Sequence, residues 1–354
     1  MTIAIDCRWI DASGIGVYLQ ECLPFFLDSP HTFFLLGNAK RLSPVISGKN
    51  NAVVLDCPVK PFSIKEIIAF PKDLLKTINS CDCFYSSYFN IPGLIKIPVY
   101  TTIHDIIFPD MPELTTRFGL AARMWFYRRA FNKSKKIFTV SEFSKSRIEH
   151  HFGKKKDIVN ASNAANPFYS AAELGKIIKK KCILFIGNIK KNKGLTILLD
   201  AFFNARKNGL DYQLIIVGDK DNFRSGDKEN SIRLEDLENL GIIFMGFIPE
   251  SEKWRLLAES ALLVQPSLYE GFGYPPLEAM LSGTAALISD IPVFREVYGT
   301  FPVTFFKTGD SRELEVKMME LLHEKNPKPQ SLPASLKEKY SFKKTAEKIL
   351  KELQ

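Results

Sequence analysis

No run in the 354 residues approaches the ~18 uninterrupted apolar positions that cross a bilayer as a helix. The start, "MTIAIDCRW", places Asp6 where the apolar core of a secretory signal would continue, so a cytoplasmic chain is expected. Contact with the inner face of a membrane stays open. Cysteine is sparse and scattered: Cys7, Cys22, Cys57, Cys81, Cys83 and Cys182. Only Cys81 and Cys83 are close, with no second pair to complete a zinc framework, so reduced thiols are the simplest reading. No H-E-x-x-H motif, short repeat or low-complexity tract occurs, which sets aside zincins, solenoids and disordered tails.

What is present is a globular composition, 45% hydrophobic and 25% charged, long enough for two or three domains. Lysine and arginine outnumber acids 48 to 39, a net charge of +9. The excess is clumped at Arg128, Arg129, Lys133, Lys135 and Lys136, at Lys154–Lys156, at Lys179–Lys181, and at Lys190, Lys191 and Lys193. Such clumps suit nucleotide phosphates, anionic lipid headgroups or nucleic acid. Most of these lysines also read as ordinary solvated faces. A nucleic-acid or lipid-binding protein is therefore a remote alternative, and no ribonucleoprotein motif or zinc finger supports nucleic acid as a partner.

Short apolar runs recur and alternate with helical patterns. The first half has "TIAID" (2–6), "TFFLL" (32–36), "AVVLD" (52–56), "CFYSS" (83–87), "PVYTTIHD" (98–105) and "KIFTVS" (136–141). The second has "CILFIG" (182–187), "QLIIVG" (213–218), "GIIFMG" (241–246), "ALLVQPS" (261–267) and "AALISD" (285–290). Runs without strict alternation fit strands buried on both faces of a parallel, doubly wound sheet. The array occurs twice. The expected fold is α/β, two Rossmann-like domains facing a central cleft: 1–166, a linker at 167–178, 179–338, and a terminal helix at 339–354 that can cross back to the first domain, with Ser341 as its N-cap candidate. Ligands should sit at strand-end loops.

The most informative stretch is "PSLYEGFGYPPLEAM" (266–280). Gly271 and Gly273 permit a tight turn and a close ligand. Pro275 and Pro276 suit first helical positions, so "PPLEAMLSG" should be a helix aimed at the turn, an anion site. Glu278 in its first turn can accept hydrogen bonds from a ribose diol, and Glu270 on the opposite lip can orient hydroxyls of the group attached to the phosphate. The simpler reading is a glycine hinge with a dipole-favoured glutamate.

That stretch resembles the E-x7-E signature of glycosyltransferase family 4, retaining enzymes of the GT-B fold. The resemblance extends along the chain through "IAIDCRWIDASGIGVYLQECL", "TTIHDIIFPDMPEL", "FTVSEFSKSRI", "CILFIGNIKKNKGLTILLDAF" and "IIFMGFIPESEKWRLLAESALLVQPS". It implies that Glu270 contacts the donor sugar, that the Phe272 and Gly273 amides, with Tyr274 at the helix start, hold the diphosphate, and that Glu278 binds the ribose. It implies a hexose moved from a nucleotide sugar, GDP-mannose favoured, to a hydroxyl of a glycan or lipid-linked acceptor in surface polysaccharide or lipopolysaccharide synthesis, with retention and without a metal or other cofactor. A GT-B epimerase or phosphorylase is the alternative.

The loop "SGIGVYLQE" (13–21) has Gly14 and Gly16, but Leu19 stands where a dinucleotide fingerprint needs a third glycine. It reads as a backbone loop across the cleft from the diphosphate, or as an ordinary βα turn. Lys193 in "NIKKNKG" can neutralise the departing diphosphate. Family members often carry an arginine nearby; here Asn188 and Asn192 hold the candidate positions, with Lys190 or Lys191 as substitutes. His104, beside Asp105 at a strand end, is by resemblance a contact to the donor sugar or reacting centre. "DKD" (219–221) invites a metal reading, which is set aside. "ARMWFYRRAFNKSKK" (122–136) reads either as a helix on an anionic membrane surface or as one burying Trp125 and Phe126.

Overall fold

The computed structural model describes residues 1–218, 239–323 and 334–353. These form two compact units, Met1–Ala164 with Lys339–Gln354, and Ala165–Glu338.

The first unit is built on seven strands: β1 (Thr2–Asp6), β2 (Thr32–Gly37), β3 (Ala52–Asp56), β4 (Cys83–Ser86), β5 (Val99–Thr102), β6 (Ser134–Thr139) and β7 (Ile158–Asn160). Their order is β3-β2-β1-β4-β5-β6-β7, every pair parallel. Ile3 on β1 lies opposite Phe33 on one side and Cys83 on the other. The second unit has β8 (Lys180–Ile186), β9 (Gln213–Val217), β10 (Ile242–Gly246), β11 (Ser260–Gln265), β12 (Ala285–Ser289) and β13 (Thr304–Phe306). Their order is β10-β9-β8-β11-β12-β13, again parallel throughout.

The middles of most of these strands are apolar because helices cover both faces, so alternation has no solvent side to mark. In the second unit, helices Leu195–Lys207 and Ser311–His323 bury Leu198, Phe202, Leu314 and Met318 against Ile183, Leu214 and Leu262. The terminal helix Phe342–Glu352 packs with the first unit through Phe342, Ala346 and Ile349. Lys136 bonds both Asp157, at 3.0 Å, and Glu352, while the Thr345 hydroxyl donates to the Ser162 carbonyl at 2.6 Å. Ser341 occupies the N-cap position of that helix, but its side chain makes no capping bond. The strands β7 and β13, three residues each, were too short to read as apolar runs.

In both sheets the strand order reverses beside the first strand, between β1 and β4 and between β8 and β11. Crossover connections leave in opposite directions there, and a crevice opens at the strand ends. All six cysteines are free and buried.

One side chain opposes the packing of the second unit. Lys179, just before β8, donates to the Thr284 hydroxyl at 2.5 Å and makes no ion pair among the described residues. Burial lowers its pKa to about 8. The unfolded chain, with lysine near 10.4, then binds more protons between those values, so stability rises with pH across that window. Lys179→Met should stabilise the protein by about 1–2 kcal/mol at pH 7, below the full linkage value because the ammonium is only partly buried. Denaturant titrations at pH 7 and pH 10 test this: the gap to the parent protein should shrink at the higher pH, and a destabilised variant would refute it.

Candidate functional site

Two loops meet at the switch point of the second sheet. The first leaves β8 as Gly187–Lys190 and forms a single 3₁₀ turn, Lys191–Lys193. Gly194 then starts the next helix with φ +66°, and a Cβ there would lie 2.0 Å from the Pro266 carbonyl oxygen. Only glycine allows the approach. The second loop leaves β11 through Pro266. Asn192, buried, fastens the two together: its carbonyl accepts from Leu268 N at 2.8 Å, and its amide donates to the Tyr269 carbonyl at 3.2 Å. Asn192 is thus a clamp between loops and not a stand-in for a phosphate-binding cation. Asn188 is half-buried in the same loop, while Lys190 and Lys191 are exposed.

This clamp brings Lys193 to Glu270. The ammonium lies 2.6 Å from Glu270 Oε1 and 2.7 Å from Oε2. Glu270 is buried and also accepts from the Ser267 hydroxyl at 2.8 Å. Ser267 in turn accepts from Gln265 Nε2 at 2.9 Å, and its carbonyl accepts from Ser289 Oγ at 2.5 Å. The carboxylate is therefore fixed from both sides, as a preorganised polar group must be. Neighbouring strand ends supply the cation and the anion.

The helix after Glu270 differs from the expected one in its start, and Glu278 therefore lies beyond its first turn. The helix is Tyr274–Leu281, so Tyr274 is first and the two prolines follow it. The prolines carry no N–H. Backbone N–H groups at this terminus therefore belong to Tyr274 and to the turn itself. Gly273 adopts φ +86°, and a Cβ on it would meet Phe294 at 2.5 Å. The Tyr298 hydroxyl donates to the Gly273 carbonyl and holds the turn. The Phe272 ring is buried near Tyr298.

Glu278 is buried inside this helix and pairs with Lys253, 2.8 Å from Oε1. Lys253 lies on helix Glu250–Glu259 and also binds Glu250 at 2.6 Å. Burial pushes the Glu278 carboxyl above its ordinary value, an effect that Lys253 offsets in part. Burial also works against the Lys253 charge, but Glu278 and Glu250 hold its pKa above the ordinary range. Lys253 was invisible to sequence reasoning, because nothing in "ESEKWRLL" distinguishes it from a solvated helix lysine.

In the first unit, His104 follows β5 and is buried. Its Nε2 lies 3.0 Å from the Ser87 carbonyl, at the end of the neighbouring β4. A carbonyl can only accept, so Nε2 carries the proton and Nδ1 the lone pair. Burial lowers the pKa to about 4 against a small opposing effect of that bond, so the ring is neutral at pH 7. The Tyr18 ring stands edge-on at 4.9 Å, and Ser144 Oγ binds the His104 carbonyl at 3.0 Å.

Gly14 and Gly16 do not form a loop. They lie in the first turn of helix Ser13–Leu27, and the loop is Cys7–Ala12, closed by Ala12 N to the Trp9 carbonyl at 2.9 Å. Gly16 serves close packing: a Cβ would lie 2.6 Å from the Ile10 carbonyl oxygen. Among the described residues, no group of three His, Cys, Asp or Glu side chains could hold a metal ion, and Asp219–Asp221 lies outside them.

Paired lysine and glutamate at a switch point, beside a glycine turn that opens a helix, is a geometry for anions carrying hydroxyls. The comparisons agree. The family model described as glycosyltransferase family 4 matches residues 13–167, and that described as glycosyl transferases group 1 matches 170–339. The chain is a family 4 glycosyltransferase. The family's GT-B architecture accounts for the two parallel sheets. HepE from Anabaena, solved with UDP and glucose, superposes with a TM-score of 0.74 at 16% identity, over 100% of this chain and 99% of its own. A glycosyltransferase from Rickettsia africae gives 0.71 at 15% identity, over 99% and 97%. O-antigen chain mannosyltransferase B of Escherichia coli is 28% identical over 229 residues, 61% of this chain and 59% of that protein. O-antigen chain mannosyltransferase RfbU of Salmonella typhimurium is 28% identical over 204 residues, 55% and 53%. The glycosyltransferase thus matches a little over half the length of these two curated relatives.

Proposed function

We propose that this glycosyltransferase moves a hexose, mannose from GDP-mannose first among candidates, to a hydroxyl of a glycan or lipid-linked acceptor in surface-polysaccharide or lipopolysaccharide synthesis. The observation that carries the proposal is the Lys193–Glu270 pair, held at 2.6 Å beside the turn that opens helix Tyr274–Leu281. The names of the mannosyltransferase relatives support the sugar.

In this reading the amides of Phe272 and Gly273, with Tyr274 at the helix start, receive the diphosphate. Lys193 leans from Glu270 toward the phosphate oxygens as the sugar departs, and Glu270 takes hydroxyls of the sugar in exchange. The pair is neutral before the donor arrives and separates its charges only where the reaction needs them. Glu278 accepts from the ribose diol while Lys253 keeps its charge compensated. His104 offers Nδ1 to a donor-sugar hydroxyl. Gly14 and Gly16 act through the backbone of their helix start, and Asn188 through the loop that carries Lys193. A phosphate oxygen of the leaving group takes the acceptor proton, so the new bond forms on the face the diphosphate left. No enzyme nucleophile and no resident metal is required.

A thermal-shift screen of GDP-mannose, UDP-glucose and other nucleotide sugars tests the donor. A ligand at 100 times its Kd adds about 2.7 kcal/mol to the native state, so one sugar nucleotide should raise the melting temperature by several degrees. GDP-mannose is expected to give the larger shift, and the shift should shrink in Lys193→Ala. The absence of a shift with every nucleotide sugar would overturn the reading. Turnover of a sugar nucleotide with no acceptor present would favour the epimerase or phosphorylase alternative.

A further inference from the structure

The chain leaves the first unit at Ala164, and shortly afterwards the segment that leads to β8 carries Phe168. This side chain is 51% exposed, so the core gains little from it. What it has is a stacked partner. Its ring lies 11° from the plane of Trp254, with 5.9 Å between centroids, the offset arrangement that aromatic pairs prefer. Trp254 is buried, on helix Glu250–Glu259. The backbone beyond Phe168 is fixed as well. Ser170 and Glu173 form a capping box on the short helix Ala171–Leu174, in which Ser170 N donates to Glu173 Oε2 at 2.8 Å. Tyr169 meets the Phe168 ring edge-on at 4.9 Å.

Trp254 passes this contact inward. Its Nε1 donates to Glu250 Oε1 at 3.0 Å, and the Lys253 ammonium reaches the same oxygen at 2.6 Å. That ammonium also lies 5.3 Å from the centroid of the Trp254 ring, within the range of a cation–π contact. Two features of one tryptophan, its N–H and its ring, therefore fix where Lys253 stands. Lys253 in turn pairs with the buried Glu278 at 2.8 Å. Each contact from Phe168 to Glu278 lies within the second unit.

The placement of Lys253 matters to the acid. Burial pushes the Glu278 carboxyl towards its neutral form, and Lys253 opposes that. A neutral carboxyl accepts hydrogen bonds more weakly than a carboxylate. A Lys253 free to wander would leave a poorer acceptor for two hydroxyls.

We propose that Phe168 is a positioning residue for the donor site: stacked on Trp254, it fixes Lys253 and so sets the Glu278 carboxylate for the ribose. This rests on the reading of Glu278 as the group that accepts from the ribose diol. The segment between the units thereby becomes part of the donor site, and by reciprocity a bound nucleotide tightens the stack.

Isothermal titration of the full chain with GDP and with UDP is the test. The nucleotide that the parent binds more tightly should bind Phe168→Ala about three- to tenfold more weakly, the range that one aromatic pair supplies. Phe168→Tyr keeps the stack and should stay within about twofold of the parent. Because Phe168 is half exposed, the alanine variant should fold with little change in melting temperature. A merely structural role would not move the coupling to Glu278. In a Glu278→Gln background no charge has to be compensated, so Phe168→Ala should there change affinity by less than about twofold. Parent affinity in Phe168→Ala, an equal loss with and without Glu278→Gln, or a loss in Phe168→Tyr as large as in Phe168→Ala overturns the proposal and leaves the donor reading standing. If neither nucleotide binds the parent, the donor reading itself falls and the positioning role falls with it.

Discussion

Glu270→Gln is expected to lower kcat for sugar transfer about 100- to 1,000-fold, the usual effect of removing one preorganised polar group from a site of developing charge. The amide can still accept from Lys193 and Ser267, so the loop should keep its shape and the melting temperature should change by only a few degrees. What is lost is the negative charge that positions Lys193 and, in the proposed mechanism, takes the sugar hydroxyls. Lys193→Ala should reduce kcat by a similar factor. Because ammonium and carboxylate are in contact at 2.6 Å and work as a pair, the double variant should be hardly worse than either single one. Steady-state kinetics with the donor found by thermal shift decides this. Full activity in either variant, or losses that multiply in the double, would remove the pair from the mechanism.

The largest stability effect should come from Arg8→Met. Arg8 Nη2 touches Asp6 Oδ2 and Glu66 Oε1, both at 2.5 Å, and the two carboxylates have no solvent exposure. Asn90 also donates to both, at 3.0 and 2.9 Å. Burial opposes the guanidinium charge, yet Asp6 and Glu66 hold its pKa above the ordinary value. Removing the cation strands two buried carboxylates, which costs about 3–5 kcal/mol. Calorimetry should show the transition of the first unit falling by roughly 6–20 °C. The exposed pair Arg41–Asp11, at 2.6 Å, is the control, and Arg41→Met should cost less than about 1 kcal/mol. Equal effects of the two substitutions would show that the network carries no special weight.

The strand pattern was legible because both sheets are parallel and covered by helices. Continuous apolar runs such as "CILFIG" and "QLIIVG" have few other uses in a chain with no membrane-length run. Glu270, the glycine turn and Glu278 were legible for a different reason. They lie in one contiguous segment whose backbone needs, a left-handed glycine and an early proline, are written in residue types. Lys193 was legible from its place after the second unit's first strand, but its partner Glu270 was not. Asn192 was read as standing where relatives carry an arginine; its clamp on Tyr269 was not legible, because it spans 77 positions of sequence. The start of helix Ser13–Leu27 was read as a loop because two glycines suggest one, whereas Gly16 answers a contact with Ile10 that sequence does not show.

The sequence by itself determined the fold class, the family, and the segment proposed to meet the donor. These depend on local periodicity and on backbone constraints that neighbouring residues impose. Only the tertiary structure decided which charges meet. It set Lys193 on Glu270, Lys253 on Glu278 and Arg8 on Glu66, each pair joined across strand order or helix packing. It also turned "IKEII" over, so that a glutamate faces the core and two isoleucines face outward. Hydrophobicity along the chain predicts the opposite orientation. A buried arginine 58 positions away overrides it, because leaving that pair unmade costs more than exposing two side chains.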